Sequence, residues 1–158
     1  MDKIMISKRI VGIGEPVLVI AEAGINHDGD IKKAHELIDA AADAGVDVIK
    51  FQTHLAEKEM LNVSDSAVYL NESLFTLIKR MELTIDQHLE LKEHAIKRKI
   101  IFLSTPFSKE AVDILEKVGV EAYKIGSGEL TNLPFLEYVA SMGKPMIIST
   151  GMSSLEDV

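Results

Sequence analysis

The chain of 158 residues contains no cysteine, and that one absence excludes disulfides, thiolate metal ligands and cysteine nucleophiles. Basic charge is in deficit: 17 Lys plus Arg stand against 25 Asp plus Glu, a net charge of −8. A surface of that sign does not displace counterions from a phosphate backbone, so non-specific nucleic-acid binding is excluded. Long apolar runs are missing too. None approaches the roughly 18 residues of a membrane span, and the opening MDKIMISKRIVGIG lacks the apolar core of a secretory signal. The expectation is a cytoplasmic protein without membrane or nucleic-acid partners. Prolines number only four. With 47% apolar and 27% charged residues, the composition is that of a folded globular chain, about one domain's worth.

What is present is a rhythm. Five short apolar runs recur: Val17–Ala21, Val46–Phe51, Ile100–Ser104, Glu121–Ile125 and Met146–Ser149. The first, third and fifth are continuous rather than alternating, the pattern of strands buried on both faces. Between them lie helical periods. Residues 31–44 place Ile31, Ala34, Ile38, Ala41 and Ala42 on one face and stop at Gly45. Residues 84–99 open on Thr84-x-x-Gln87, a capping box. Ser108 is placed to cap a helix ending at Gly119, and Asn132 one that ends before Gly143, with Pro134 tolerated in its first turn. Residues 5–11 read as a β-hairpin. Residues 52–83 form a long connection with a helix over 72–81. Strands alternating with helices predict βαβ units and a parallel sheet.

In such folds chemistry gathers at the carboxyl ends of the strands. Each predicted strand ends in polar groups. Glu22, Asn26 and His27 follow the first; Lys50, Gln52, Thr53 and His54 close the second. Ser104 and Thr105 end the third, Lys124, Ser127 and Glu129 the fourth, and Ser149 and Thr150 the fifth. Two lysines among hydroxyls suit a small, multiply charged anion, and carboxylates beside it can move protons or position water. A lysine in a buried strand must be paired or lose its charge, so Lys50 and Lys124 read as functional. Glu22 suits either function or structural pairing with one of them. Glu129 suits either a glycine-rich site or a helix-start dipole interaction. On spacing alone Thr105, Ser149 and Thr150 read as turn or capping residues. His35, His88 and His94, and the charged run 92–99, read as solvated helix faces. Gly126-Ser127-Gly128-Glu129 is neither a P-loop nor a dinucleotide fingerprint.

Five ordered segments, Ile20-Ala-Glu-Ala-Gly-Ile-Asn-His-Asp-Gly29, Ile49-Lys-Phe-Gln-Thr-His54, Phe102-Leu-Ser-Thr-Pro-Phe107, Tyr123-Lys-Ile-Gly-Ser-Gly-Glu129 and Gly143-Lys-Pro-Met-Ile-Ile-Ser-Thr-Gly-Met152, closely resemble the sialic acid synthase family. That family includes N-acetylneuraminate, N,N'-diacetyllegionaminate and spore-coat polysaccharide synthases. The resemblance implies condensation of phosphoenolpyruvate with an N-acylated hexosamine to a nine-carbon 2-keto sugar acid, with release of phosphate. It implies that Lys50, Thr105, Lys124, Ser127 and Ser149 hold phosphoenolpyruvate. Gln52 would contact the amino sugar, and Glu22 and Glu129 would act as acid/base and water-positioning groups.

The resemblance also implies a (β/α)₈ TIM-type barrel, preceded by the hairpin and followed by an antifreeze-like domain. Such a barrel takes about 250 residues. The expectation is therefore an α/β fold over 1–158, truncated after about five strands, with no second domain. A divalent metal (Mn or Mg) would be held by histidines outside this chain. The homodimer implied by the family would be lost, and self-association through open sheet edges is expected. Ser153-Ser-Leu-Glu156 reads as the capping box of one more helix, cut short. The competing architecture is a self-contained, five-stranded flavodoxin-like binding module.

Overall fold

The computed structural model describes residues 3–63 and 72–158. Strands β1 (Ile4–Ile6) and β2 (Arg9–Val11) form the expected antiparallel hairpin, Ile4 opposite Val11 and Ile6 opposite Arg9. The alternation then begins: β3 (Ile20–Gly24), α1 (Ile31–Asp43), β4 (Val48–Thr53), α2 (Ala56–Glu59), α3 (Leu74–Met81), α4 (Ile85–Lys97), β5 (Ile101–Pro106), α5 (Lys109–Val118), β6 (Tyr123–Ile125), a single 3₁₀ turn (Ser127–Glu129), α6 (Leu133–Ala140) and β7 (Met146–Ile148).

The helices start and stop where their polar punctuation puts them. Thr84 accepts from the Gln87 backbone N–H while the Gln87 side chain accepts from the Thr84 N–H, so both halves of the capping box form. Ser108 accepts from the Ala111 N–H and Asn132 from the Phe135 N–H. Gly119 ends α5 in the left-handed conformation.

Strands β3, β4 and β5 pair in parallel and in sequence order; β6 and β7 pair in parallel with each other. That order differs from the flavodoxin-like 2-1-3-4-5 arrangement, and the competing architecture falls with it. The two faces of the strands carry different cores. Ile49, Phe51, Phe102, Tyr123 and Ile125 pack outward with Ala34, Ile38, Leu91, Leu115 and Val139 of the helices. Val48, Leu103 and Ala122 pack inward with Ile6 of the hairpin. Each such fully buried aliphatic side chain stabilises the fold by about 1.5–3 kcal/mol. Ile6 is fully buried, so the hairpin plugs the amino-terminal end of the inner face.

Four expectations are corrected. The first apolar run is strand only from Ile20; Val17 and Val19 are 80% and 48% exposed. The Val19 N–H goes instead to the Asp47 carboxylate at 2.9 Å. The fourth run is strand only over Tyr123–Ile125. Residues 153–156 open no helix; the Asp157 carboxylate folds back to accept from the Ser154 N–H and hydroxyl. Lys92 is not simply a wet-face charge, because it donates to the Val118 and Gly119 carbonyls at 2.8 and 2.9 Å, closing the end of α5. Of the helix expected over 72–81, α3 is the described part, and the stretch 64–71 of the long connection lies outside the described residues.

Candidate functional site

Alternation along a strand puts residues two apart on one face. Lys50 and Gln52 therefore share the inward face with Val48, and Thr105 shares it with Leu103. Glu22 stands opposite Lys50 in the β3–β4 register, and Gln52 stands opposite Thr105 in β4–β5. Lys50 is only 6% exposed. Its ammonium pairs with the Glu22 carboxylate and donates to Thr105 Oγ1 at 3.1 Å. Glu22 is more than half exposed, so the pair is an open one: a buried cation with an anion at the solvent edge.

Lys124 repeats the arrangement across the gap to β6. Its ammonium donates to Ser149 Oγ and to the Ile125 carbonyl. Burial holds Lys124 below the ordinary lysine range; the Lys50 charge adds to the effect and Glu22 opposes it. The two lysines thus sense each other. An anion between them would relieve that repulsion.

The structure joins Glu22, Lys50 and Thr105, and likewise Lys124 and Ser149. Thr105 and Ser149 therefore partner the lysines, where spacing alone suggested turn or capping roles. Glu129 is not hydrogen-bonded to either group. It accepts from Asn132 Nδ2 at 2.7 Å and lines a separate cavity of about 350 Å³ with Lys58, Glu59 and Phe107. Ser127 heads the 3₁₀ turn beside it.

The three helix histidines do not lie on the solvated faces expected of them. His88 is fully buried. Its Nδ1 donates to the Thr84 carbonyl at 2.9 Å, and in the neutral ring that burial favours Nε2 accepts from Thr53 Oγ1 at 2.9 Å. Thr53, having donated, accepts from Ser104 Oγ at 2.7 Å. The chain Ser104–Thr53–His88 ties the carboxyl ends of β4 and β5 to α4 and requires a neutral imidazole. Burial lowers His88 from its ordinary value accordingly. His35 and His94 meet edge to face and pair with Glu90 and Asp39, so neither is simply solvated. His27 is fully buried, its Nδ1 accepting from the Gly29 N–H at 3.0 Å. His54 bridges Glu59 and Gln52. Glu59 had no signal in the sequence beyond being one of many charged residues in a loop.

No group of three or more His, Asp or Glu among the described residues could hold a metal ion. Among them, too, no helix is long and apolar enough to cross a membrane.

Parallel strands in consecutive order, helices outside, and a lysine–hydroxyl cluster inside at the carboxyl ends define part of a β/α-barrel-type enzyme. Residues 37–158 match the NeuB family. The chain belongs to that family. It is 44% identical over 147 residues to the N,N'-diacetyllegionaminic acid synthase of Campylobacter jejuni, covering 89% of this chain and 44% of that one. It is 39% identical to the spore coat polysaccharide biosynthesis protein SpsE of Bacillus subtilis, over 100% of this chain and 43% of that one. The crystal structure of the N-acetylneuraminic acid synthetase of Leptospira borgpetersenii, in complex with citrate, superposes with a TM-score of 0.86 at 35% identity. That match covers 99% of this chain and 52% of that one. The chain spans less than half the length of these curated relatives.

Proposed function

We propose that this chain carries the phosphoenolpyruvate site of a sialic-acid-type synthase, which condenses phosphoenolpyruvate with an N-acylated hexosamine. The observation that carries this reading is the lysine pair: two ammonium groups on one inner face, each partnered by a hydroxyl, one of them depressed by burial and by the other. Two fixed cations match a ligand bearing a phosphate and a carboxylate. Family membership supplies the substrate class, and a similar protein that holds citrate, another compact polyanion, agrees with it.

In the proposed reaction C3 of phosphoenolpyruvate bonds to the aldehyde carbon of the open-chain sugar, and the aldehyde oxygen takes a proton. Water adds to the cation left at C2 and gives up a proton. The C2–O bond to phosphate then breaks, leaving a ketone. One water is consumed and one phosphate is released. Lys50, Lys124, Thr105, Ser127 and Ser149 hold the anion and offset its charge. Gln52 contacts the amino sugar. Glu22, half exposed beside Lys50, and Glu129 are the groups that move protons and position water. The described residues do not offer a donor set for the divalent cation that the family resemblance implies, and no step here passes through one.

Titration calorimetry of the chain with phosphoenolpyruvate tests the reading. Binding is expected, and either Lys50→Met or Lys124→Met should abolish it while Lys33→Met, on the exposed face of α1, leaves it unchanged. Equal affinity in all three variants would refute the assignment.

A further inference from the structure

Gln52 is held from behind. His54 Nδ1 lies 2.9 and 3.0 Å from the two oxygens of Glu59, and His54 Nε2 lies 3.1 Å from Gln52 Oε1. His54 and Glu59 expose only 7% and 6% of their side chains. The imidazole stacks on Phe107 with centroids 4.2 Å apart and planes 11° from parallel, which blocks rotation of the ring. A carboxylate and an amide oxygen can only accept. With the carboxamide oxygen on Nε2, as here, both ring nitrogens donate, and a ring so held faces the buried Glu59 carboxylate as its counter-charge.

The far end of the carboxamide borders Gly24 and Glu22. A Cβ on Gly24 would lie 3.9 Å from Gln52 Nε2 and 3.6 Å from Glu22 Oε1. Gly24, at φ +55°, leaves a corner bordered by the Gln52 carboxamide and by Glu22 Oε1. Reversing the amide would point its NH₂ at His54 Nε2, which would then have to accept and leave a neutral ring beside the Glu59 carboxylate.

We propose that His54, charged and clamped by Glu59, is a positioning residue that fixes which end of the Gln52 carboxamide faces the ligand. It consumes the amide oxygen and leaves the NH₂ as a donor toward the site. The ligand group read by Gln52 is then an acceptor, a hydroxyl or N-acyl carbonyl oxygen. This inference rests on the reading that Gln52 contacts the amino sugar. Glu59, acting through His54, becomes a determinant of specificity through the charge it stabilises.

The decisive variant is Glu59→Gln. Its amide oxygen still accepts from His54 Nδ1, so the geometry is kept, but the counter-charge is gone. His54 is then neutral, Nε2 becomes an acceptor, and the Gln52 amide reverses. Nitrogen-15 NMR of the chain without ligand reads this directly. In the parent both His54 ring nitrogens are protonated, and no coupling crosses from the Gln52 amide. In Glu59→Gln one ring nitrogen loses its proton, and a hydrogen-bond coupling joins it to the Gln52 NH₂. Unchanged His54 and Gln52 signals in Glu59→Gln, or an unprotonated Nε2 in the parent, overturn the proposal. Should Glu59→Gln fail to fold, His54→Phe, which keeps the stack on Phe107, must shift the Gln52 amide signals; no shift overturns it as well. Phosphoenolpyruvate titrated into the same samples separates the two ideas. Absence of binding in the parent removes the reading of the site and leaves the amide result standing.

Discussion

Thr53→Val isolates the buried hydroxyl chain. The change is nearly isosteric, at a residue only 1% exposed, and it deletes one oxygen that serves two partners. His88 Nε2 loses its donor at 2.9 Å and Ser104 Oγ its acceptor at 2.7 Å. His88 cannot turn away, because its Nδ1 is committed to Thr84. Each buried polar group left without a partner costs about 1–3 kcal/mol, and the new methyl returns about 0.8 kcal/mol of transfer energy. The expected net loss is about 3 kcal/mol. At about 2–4 °C per kcal/mol for a chain of this size, the melting temperature should fall by about 9 °C. Urea denaturation followed by circular dichroism should show a lower midpoint at unchanged slope, which marks a stability change without a change in exposed area. The cycle with His88→Phe should show a coupling of about 1 kcal/mol or more between the two positions. A loss under about 1 kcal/mol with no coupling would refute the directed chain and with it the neutral tautomer assigned to His88.

Other outcomes follow from the same geometry. Burial lowers both His27 and His88, so below their ordinary value near 6.5 the unfolded chain binds more protons than the folded one. The contribution of these two histidines should therefore be full at neutral pH and be lost as pH falls below about 6.5, so His88→Phe should lose less stability than the parent between pH 7 and 5; an equal or greater loss in that variant would contradict this. Lys50→Met should lose phosphoenolpyruvate binding without lowering the melting temperature, because it removes a buried charge and leaves Glu22 free to hydrate. A marked destabilisation would show that the pair serves the fold first. Gly29→Ala places a Cβ 2.3 Å from the Arg80 carbonyl oxygen at φ +76° and should cost more than about 2 kcal/mol by chemical denaturation; a near-neutral result would mean that Gly29 does not lie against the Arg80 carbonyl. Finally, with phosphoenolpyruvate, N-acetylmannosamine and manganese, the 158-residue chain is expected to release no phosphate, and robust release would overturn that expectation.

Most of the architecture was written in local patterns. Thr84 and Gln87, Ser108, Asn132 and Gly119 each satisfy backbone groups within four residues of themselves, so their sequence spacing is their structure. The polar ends of the apolar runs likewise named the site, and five of the eight proposed site residues fall into its two lysine clusters. The failures lie where the partner is far along the chain. Val17 and Val19 look like a buried strand until Asp47, 28 residues beyond Val19, takes the Val19 N–H. His88 looks like any polar helix residue until β4 and β5 bring Thr53 and Ser104 against it. Glu59 is one acid among many until α2 folds it onto His54. Local hydrogen bonds and side-chain period depend on neighbours in sequence, so the residues themselves determine them. The charge of a histidine, the facing end of an amide and the pairing of Glu22 with Lys50 depend on which groups share a site excluded from water, and only the tertiary structure decides that.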